Sequence, residues 1–187
     1  MNREFDLIIY GATGFTGKLA VEYIDNNYSD LKWAIAGRNS EKLNQISNST
    51  KAKPPILIAS SEDGNSLSEV VKKTKVIASL AGPFCKYSNE LVNQCYENNT
   101  NYVDITGENI WVRDLIDRYH KGCEDKGIFI IPSCGYDSIP SDIGSFYCHM
   151  MLNENIDHID GYHTGKGGVS GGTIESAFNI KNYKSSY

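Results

Sequence analysis

Short apolar runs alternate with longer, helix-like stretches along most of this sequence, and this alternation limits the possible folds more than any other feature. Runs such as "LIIY" at residues 7–10 and "IFII" at residues 128–131 are continuously apolar. Strands of this kind, separated by helices, are typical of a parallel sheet that is covered on both faces. Because crossover connections are right-handed, we predict an α/β fold with a doubly wound parallel sheet of the Rossmann type.

The pattern predicts strands and helices in turn. The strands are expected at Phe5–Tyr10 and in "LKWAIAG", "PPILIA", "KVIASLAG", "NYVDITG" and "GIFIIP". The helices are expected at Gly17–Asn27, from a Ser40 cap, from Ser66 or Ser68 to Lys73, and at Asn89–Asn98, Ile110–Lys126 and Ser141–Met151. After Asn153 the rhythm changes: "IDHIDGYHTG" resembles a strand of another layer, and "KGGVSGGT" a glycine-rich loop. We therefore expect one domain over residues 1–152 and the beginning of a second over residues 153–187.

Three glycines with a spacing of three follow the first predicted strand: Gly11, Gly14 and Gly17. A tight turn from a strand into a helix requires residues without a Cβ atom, and so does a pyrophosphate that approaches backbone amides. Thr13 and Thr16 can add hydroxyl donors, and Phe15 can cover the site. We interpret the motif as a phosphate-binding loop; the alternative is a turn with a purely structural role.

Arg38 lies about twenty residues beyond the last glycine, where a dinucleotide fold binds the adenosine ribose. An acidic residue there would favour NAD, whereas arginine offers a charged fork to a 2′-phosphate. Arg38 therefore predicts NADP, with Asn39 or Ser40 as further donors. The alternative is a solvated surface arginine beside a helix cap.

The fourth predicted strand ends in "SLAGPFCKYS". Ala81 and Gly82 should lie at the carboxyl edge of the sheet, where small residues let the backbone approach a cofactor, and Pro83 fixes the turn. We expect a cofactor contact here; the alternative is an ordinary loop.

Candidate catalytic residues follow the sixth predicted strand, in "CGYDSIPSD". Tyr136 can donate a proton, and Asp137 can position it. Cys134 is a candidate thiol, but no neighbouring histidine or lysine would activate it. A rigid turn that leads into the next helix explains the same residues, and we favour that interpretation.

The segment "YVDITGE" places Asp104, Thr106 and Glu108 after the fifth predicted strand. Carboxylates at this edge of the sheet can bind a polar substrate. Equally, Glu108 can stabilise the start of the next helix through the helix dipole. The sequence does not decide between these two roles.

Two other site types receive little support. Tyr162 and Lys166 have the spacing of the short-chain dehydrogenase pair, but the surrounding glycines disfavour the helix that this pair requires. His120 and Cys123 share a helix face, yet no second pair stands at ligand spacing, so we expect no metal.

Composition excludes several classes of protein. The net charge is -5, which argues against general binding to nucleic acid or anionic membranes. The apolar runs are too short to cross a bilayer, although peripheral lipid association stays open. The five cysteines include no CxxC pair, which favours a reducing compartment. We expect a soluble cytoplasmic protein, with association with an organelle left open.

Six motifs occur in the order found in saccharopine dehydrogenase-like oxidoreductases, in the branch that includes the trans-acting enoyl reductases of mycobacteria. They are "YGATGFTG", "AGRN", "SLAGPF", "YVDITGE", "CGYDSIPSD" and "GGVSGGTIES". The resemblance implies an NADP-binding Rossmann domain, followed by a second α/β domain that shapes the substrate site and often mediates dimerisation. Members are much longer chains, so we expect the second domain that begins at residues 153–187 to be truncated here.

The resemblance also assigns the cofactor contacts residue by residue. The pyrophosphate loop corresponds to Gly11, Ala12, Thr13, Gly14, Phe15 and Thr16; the 2′-phosphate contacts to Arg38 and Asn39; and the loop beside the ribose and nicotinamide to Ala81, Gly82 and Pro83. We therefore expect an NADP-dependent oxidoreductase that transfers a hydride to or from a C=N, C=C or C=O bond. The alternatives are a non-catalytic dinucleotide-binding module and a short-chain-type dehydrogenase using Tyr162 and Lys166.

Overall fold

A computed structural model describes residues 3–152, 156–164, 166–168 and 171–183. Six parallel strands form one sheet with the order β3-β2-β1-β4-β5-β6. The strands are β1 Phe5–Tyr10, β2 Trp33–Gly37, β3 Ile56–Ile58, β4 Thr74–Ser79, β5 Asn101–Asp104 and β6 Ile130–Ile131. The helices are α1 Phe15–Asn27, α2 Ser40–Ser49, α3 Gly64–Val71, α4 Phe84–Tyr87, α5 Asn89–Glu97, α6 Asn109–Lys126, α7 Ile139–Leu152 and α8 Gly171–Asn182.

The predicted doubly wound sheet is confirmed, and its core has two sides. Consecutive residues of β1 serve opposite faces, because side chains alternate along a strand. Ile8 belongs to an apolar cluster that includes Leu67 of α3 and Leu91 of α5. Ile9 belongs to a second cluster, with residues of α1 and α2 such as Leu43. The central strands are therefore buried on both faces, which explains their continuously apolar sequences.

The strand order reverses between β1 and β4. In open α/β sheets, ligands bind at such a switch point, outside the carboxyl ends of the strands. This topology selects the loops after β1, β2 and β4 as the candidate site.

Several predicted helix starts are wrong. Helix α1 begins at Phe15 rather than at Gly17, and α7 begins at Ile139 rather than at Ser141. Helix α3 begins at Gly64 rather than at Ser66 or Ser68, because Asp63 is its N-cap and accepts hydrogen bonds from the amides of Asn65 (3.0 Å) and Ser66 (3.3 Å). Helix α2 is capped by Asn39, one residue before the predicted Ser40. Several polar residues stand before each helix, and only the backbone conformation decides which of them caps it.

The strand predicted in "IDHIDGYHTG" is also wrong over the described residues 156–164, which contain no strand. A strand requires a neighbour for its backbone hydrogen bonds, and this segment pairs with no strand of the described sheet. The predicted loop "KGGVSGGT" ends in α8, which begins at Gly171; its residues Val169 and Ser170 lie outside the described residues. Just after α8, the Tyr183 hydroxyl donates to Asp114 of α6 at 2.7 Å.

Helix α7 exposes apolar side chains to solvent. None of its residues is buried. Exposed fractions are 53 % for Ile143, 60 % for Phe146 and 63 % for Met150. These residues recur at helical spacing, so α7 presents an apolar stripe that the described chain does not cover.

Candidate functional site

The glycine motif forms the loop between β1 and α1. Gly11 has a φ of +83°, a left-handed conformation that glycine adopts without strain. A Cβ atom added to Gly11 would lie 2.8 Å from the backbone nitrogen of Ala81, in the loop after β4. The two loops approach this closely because residue 11 has no side chain.

The N-terminus of α1 also depends on close backbone packing. A Cβ atom added to Gly17 would lie 2.3 Å from the carbonyl oxygen of Gly11. Gly14 is the N-cap and makes no side-chain cap hydrogen bond. A helix N-terminus with uncapped amides and no side chain in the way fits the pyrophosphate of a dinucleotide. Gly11 and Gly17 are also required for packing, so part of the motif has a structural role as well.

The other residues of this loop differ in accessibility. Ala12 is fully buried in the cluster against α1 and α2, so it offers a ligand only its backbone. Thr13 is half-buried and Thr16 is exposed, which leaves hydroxyl groups at the loop surface. Phe15 is 76 % exposed and is therefore available to cover a bound group.

Arg38 directly follows β2 and is exposed at the same edge of the sheet. Burial raises the pKa of the Tyr10 phenol at the end of β1, and the positive charge of Arg38 opposes that shift. The guanidinium therefore lies near enough to the end of β1 for its charge to be felt there. Asn39 is partly occupied, because its side-chain oxygen accepts the Lys42 amide at 2.9 Å. Only its side-chain nitrogen is left to donate to a ligand.

The loop after β4 brings Ala81, Gly82 and Pro83 to the switch point. Ala81 is half-buried against the Gly11 loop, Gly82 is exposed and Pro83 is buried. The peptide bond between Gly82 and Pro83 is cis. Pro83 is the N-cap of α4, a helix of four residues that the sequence did not predict.

Asp104 lies below this edge and is 2 % exposed. Its Oδ1 accepts the amides of Thr106 (2.9 Å) and Ser133 (3.0 Å), and its Oδ2 accepts the Tyr102 hydroxyl (2.8 Å). Burial is the main cause of its raised pKa, and these hydrogen bonds oppose the shift. The carboxylate thus ties the end of β5 to the turn after β6, and it is not directed at a substrate.

Glu108 is the N-cap of α6, close to the start of that helix as one interpretation predicted. Its carboxylate, however, serves α4: Oε1 accepts the amide of Phe84 at 3.0 Å and Oε2 accepts that of Cys85 at 2.6 Å. The Glu108 amide donates to Thr106 Oγ1 at 3.1 Å. Both carboxylates of "YVDITGE" are therefore occupied inside the protein, which argues against the substrate-binding alternative.

The turn after β6 carries the candidate catalytic residues. The Ile139 amide donates to the Gly135 carbonyl at 2.9 Å, so the segment is a hydrogen-bonded turn that leads into α7. Tyr136 is 84 % exposed, and Asp137 is exposed beside Gly135. Burial and the nearby Asp104 raise the pKa of the Cys134 thiol, which disfavours the thiolate and hence a nucleophilic role.

The less favoured sites find no support among the described residues. Tyr162 is 92 % exposed, and residues 161–164 contain no helix that would place it beside Lys166. No group of three or more metal-ligating side chains occurs in the part of the chain that the structure describes. Among these residues, no helix has the length and apolar character needed to cross a membrane.

Sequence reasoning missed the contact between Glu108 and α4. A signal was present, because Pro83 precedes a short helix and has no side-chain oxygen that could cap it. Two uncapped amides in the interior require an acceptor from elsewhere in the chain. The sequence alone did not reveal that Glu108 supplies it.

Comparison with known proteins identifies a family. Residues 7–131 match the model of the saccharopine dehydrogenase NADP-binding domain. A trans-acting enoyl reductase of Mycobacterium bovis is 39 % identical over 156 residues, which cover 82 % of this chain and 37 % of the relative. A lipid droplet localized protein of Caenorhabditis elegans is 30 % identical over 168 residues, covering 85 % of this chain and 39 % of the relative. The chain thus spans less than half the length of these relatives.

The fold has a counterpart among solved structures. Saccharopine dehydrogenase (L-Glu forming) of Saccharomyces cerevisiae superposes with a TM-score of 0.66 at 15 % identity, over 80 % of this chain and 31 % of that protein. At this identity the likeness concerns the fold alone. The family match covers the glycine loop, Arg38 and the loop after β4. The chain therefore belongs to the saccharopine dehydrogenase NADP-binding domain family, an oxidoreductase family, and its cofactor is NADP.

Proposed function

We propose that this chain is the cofactor-binding part of an NADP-dependent oxidoreductase that transfers a hydride to or from a small-molecule C=N, C=C or C=O bond. One observation carries the proposal: the glycine loop contacts the loop after β4 at the switch point. There the backbones of Gly11 and Ala81 lie so close together that a side chain at residue 11 would not fit. When NADP is bound, its nicotinamide supplies the hydride chemistry, and the protein supplies orientation and electrostatics. The mycobacterial relative named trans-acting enoyl reductase favours a C=C bond.

We assign the cofactor contacts to three groups of residues. The proposed contacts are Gly11, Ala12, Thr13, Gly14, Phe15 and Thr16 for the pyrophosphate, Arg38 and Asn39 for the 2′-phosphate, and Ala81, Gly82 and Pro83 for the nicotinamide side. The uncapped N-terminus of α1 supports the first group. The exposed cation at the end of β2 supports the second.

For proton transfer we propose Tyr136 as the donor and Asp137 as the residue that positions it. Both follow β6, whose exit is tied to β5 by Asp104. The Tyr136 phenol is accessible to a substrate, since it is 84 % exposed.

The test uses the protein with the whole of the second domain proposed below, NADPH that carries deuterium at its transferable position, and an enoyl thioester, an imine or a ketone. We expect deuterium in one of the products, detected by mass spectrometry. Tyr136→Phe should slow the transfer by about a hundredfold, the lower range for a lost general acid. Tyr147→Phe, a change at an exposed tyrosine of α7, is the matched control and should have no effect.

Other outcomes would favour the alternatives. Loss of transfer in Tyr162→Phe with Tyr136→Phe unaffected would favour the short-chain-type mechanism. Tight NADPH binding without transfer to any acceptor would favour a non-catalytic binding module.

We further propose that residues 153–187 begin a second, substrate-binding or dimerisation domain. The greater length of the relatives supports this proposal.

We also propose that the protein is cytoplasmic with peripheral attachment to lipid. The exposed apolar stripe of α7 and the name of the Caenorhabditis elegans relative support the attachment. Flotation with neutral-lipid droplets should fail for Phe146→Ser if α7 is the attachment surface.

A further inference from the structure

The Glu108 side chain, at the start of α6, fixes the first turn of α4, a helix that follows a different strand. Its carboxylate is 2 % exposed and accepts hydrogen bonds from two consecutive amides, those of Phe84 and Cys85. These amides belong to the first turn of α4, which has four residues and cannot satisfy them internally. Glu108 therefore supplies the cap that the preceding Pro83 lacks.

The capped turn is continuous with the loop of the candidate site. Leu80, Ala81, Gly82 and Pro83 connect β4 to α4. The crevice of an open α/β sheet lies at the switch point, between the loops that follow β1–β3 and those that follow β4–β6. Ala81 packs against Gly11, so the position of this loop sets the distance between the two sides of the crevice. Any movement of the Phe84 and Cys85 amides would be transmitted along three residues to that contact.

Glu108 is itself held in place. Its amide donates to Thr106 Oγ1 at 3.1 Å, and it lies at the start of α6, the longest of the described helices. One turn later, Trp111 stacks on Phe84 with ring centroids 6.3 Å apart. The carboxylate and the indole therefore bind α4 to α6 at two points, and the carboxylate is the one that fixes the backbone.

We propose that Glu108 is a positioning residue for the nicotinamide half of the NADP site, acting through the backbone amides of Phe84 and Cys85. The proposal rests on the NADP site described above. A dinucleotide spans the crevice, with one mononucleotide half on each side of the switch point. The adenosine half lies with Arg38 on the β1–β3 side, so Glu108 should affect only the half on the β4–β6 side.

The test compares two ligands in Glu108→Gln. The glutamine keeps the size of the side chain, but its nitrogen cannot accept a hydrogen bond, so one of the two amide contacts is lost. We expect the Kd for NADPH, measured by titration calorimetry, to rise about tenfold, which corresponds to about 1.4 kcal/mol. The Kd for adenosine 2′,5′-bisphosphate, which carries the adenosine half alone, should stay within about twofold. General destabilisation would not separate the two ligands in this way.

Asp114→Asn is the matched control. Asp114 is a fully buried carboxylate on the same helix, and it accepts the Tyr183 hydroxyl rather than an α4 amide. This variant should lower the melting temperature without changing the ratio of the two Kd values. Equal weakening of both ligands in Glu108→Gln, or no weakening in a folded variant, would overturn the proposal.

Two results keep the proposal separate from the cofactor assignment and from a folding defect. Failure of the wild-type chain to bind adenosine 2′,5′-bisphosphate would contradict the NADP site itself. If Glu108→Gln does not fold, NMR spectra of the wild type decide the question. NADPH should shift the Phe84 and Cys85 amide signals and the bisphosphate should not; equal shifts with both ligands would overturn the proposal.

Discussion

The two sides of the crevice are built by different means. On the β1–β3 side, the proposed cofactor contacts come from the glycine loop, whose backbone is free of side chains at Gly11 and Gly17, and from Arg38, which is exposed. On the β4–β6 side, backbone amides of the loops donate hydrogen bonds to two buried carboxylates, Asp104 and Glu108, which hold the loops in place. Neither carboxylate faces the crevice as a free group, because both are occupied by hydrogen bonds within the protein.

This difference explains how each side can be recognised in the sequence. A glycine loop has a fixed spacing because positions such as Gly11 and Gly17 each meet a local steric limit. A buried carboxylate has no such local signature, and the same residues would suit a polar substrate. The β1–β3 side should therefore be sensitive to added atoms, and the β4–β6 side to lost hydrogen bonds.

The largest effect is expected for Gly17→Ala. The new Cβ would lie 2.3 Å from the Gly11 carbonyl oxygen and 2.8 Å from the Ala12 Cα, both backbone atoms that cannot rotate away. We expect a loss of about 3 kcal/mol or more in the free energy of unfolding, measured with urea, and loss of NADPH binding. Gly144→Ala in α7 is the control: nothing lies within 4 Å of its added Cβ. It should stabilise the protein by up to about 1 kcal/mol, because alanine favours helices. Equal effects of the two changes would contradict the close packing of the glycine loop.

A smaller effect on stability is expected from Asp104, and its pH dependence should be opposite to that of most carboxylates. Burial raises its pKa in the folded protein above the ordinary value of 3.8. The folded state then binds a proton more tightly than the unfolded state, so the contribution of Asp104 to stability is largest below pH 3.8 and is lost as pH rises through the raised pKa. Asp104→Asn should remove this fall, so the variant gains on the wild type as pH increases across that window. Urea unfolding at a series of pH values measures it, with the exposed Asp30→Asn as control. An unfolding free energy of the wild type that rises through this window relative to Asp104→Asn would contradict the raised pKa.

The sequence predicted the parts of the fold that depend on local chemistry. All six strands and the course of α1, α2, α5, α6 and α7 follow from apolar runs and helical spacing. The contact from Glu108 to Phe84 and Cys85 joins residues 24 and 23 positions apart, at the starts of two different helices, and no periodicity connects them. The strand predicted at residues 156–164 is absent for a related reason, because a strand is stable only beside a partner strand.

The central claim is that the crevice binds NADP through the glycine loop and Arg38. Thermal melts with NADPH, with NADH and without ligand test it most directly. Ligand at about a hundred times its Kd should stabilise by roughly 2.7 kcal/mol. For a chain of this size that raises Tm by roughly 5 to 10 °C. We predict this shift with NADPH and a much smaller one with NADH. The difference between the two cofactors should disappear in Arg38→Ala. It should persist in Arg113→Ala, a control change at an exposed arginine of α6. Equal shifts with both cofactors, or an unchanged NADPH preference in Arg38→Ala, would contradict the claim.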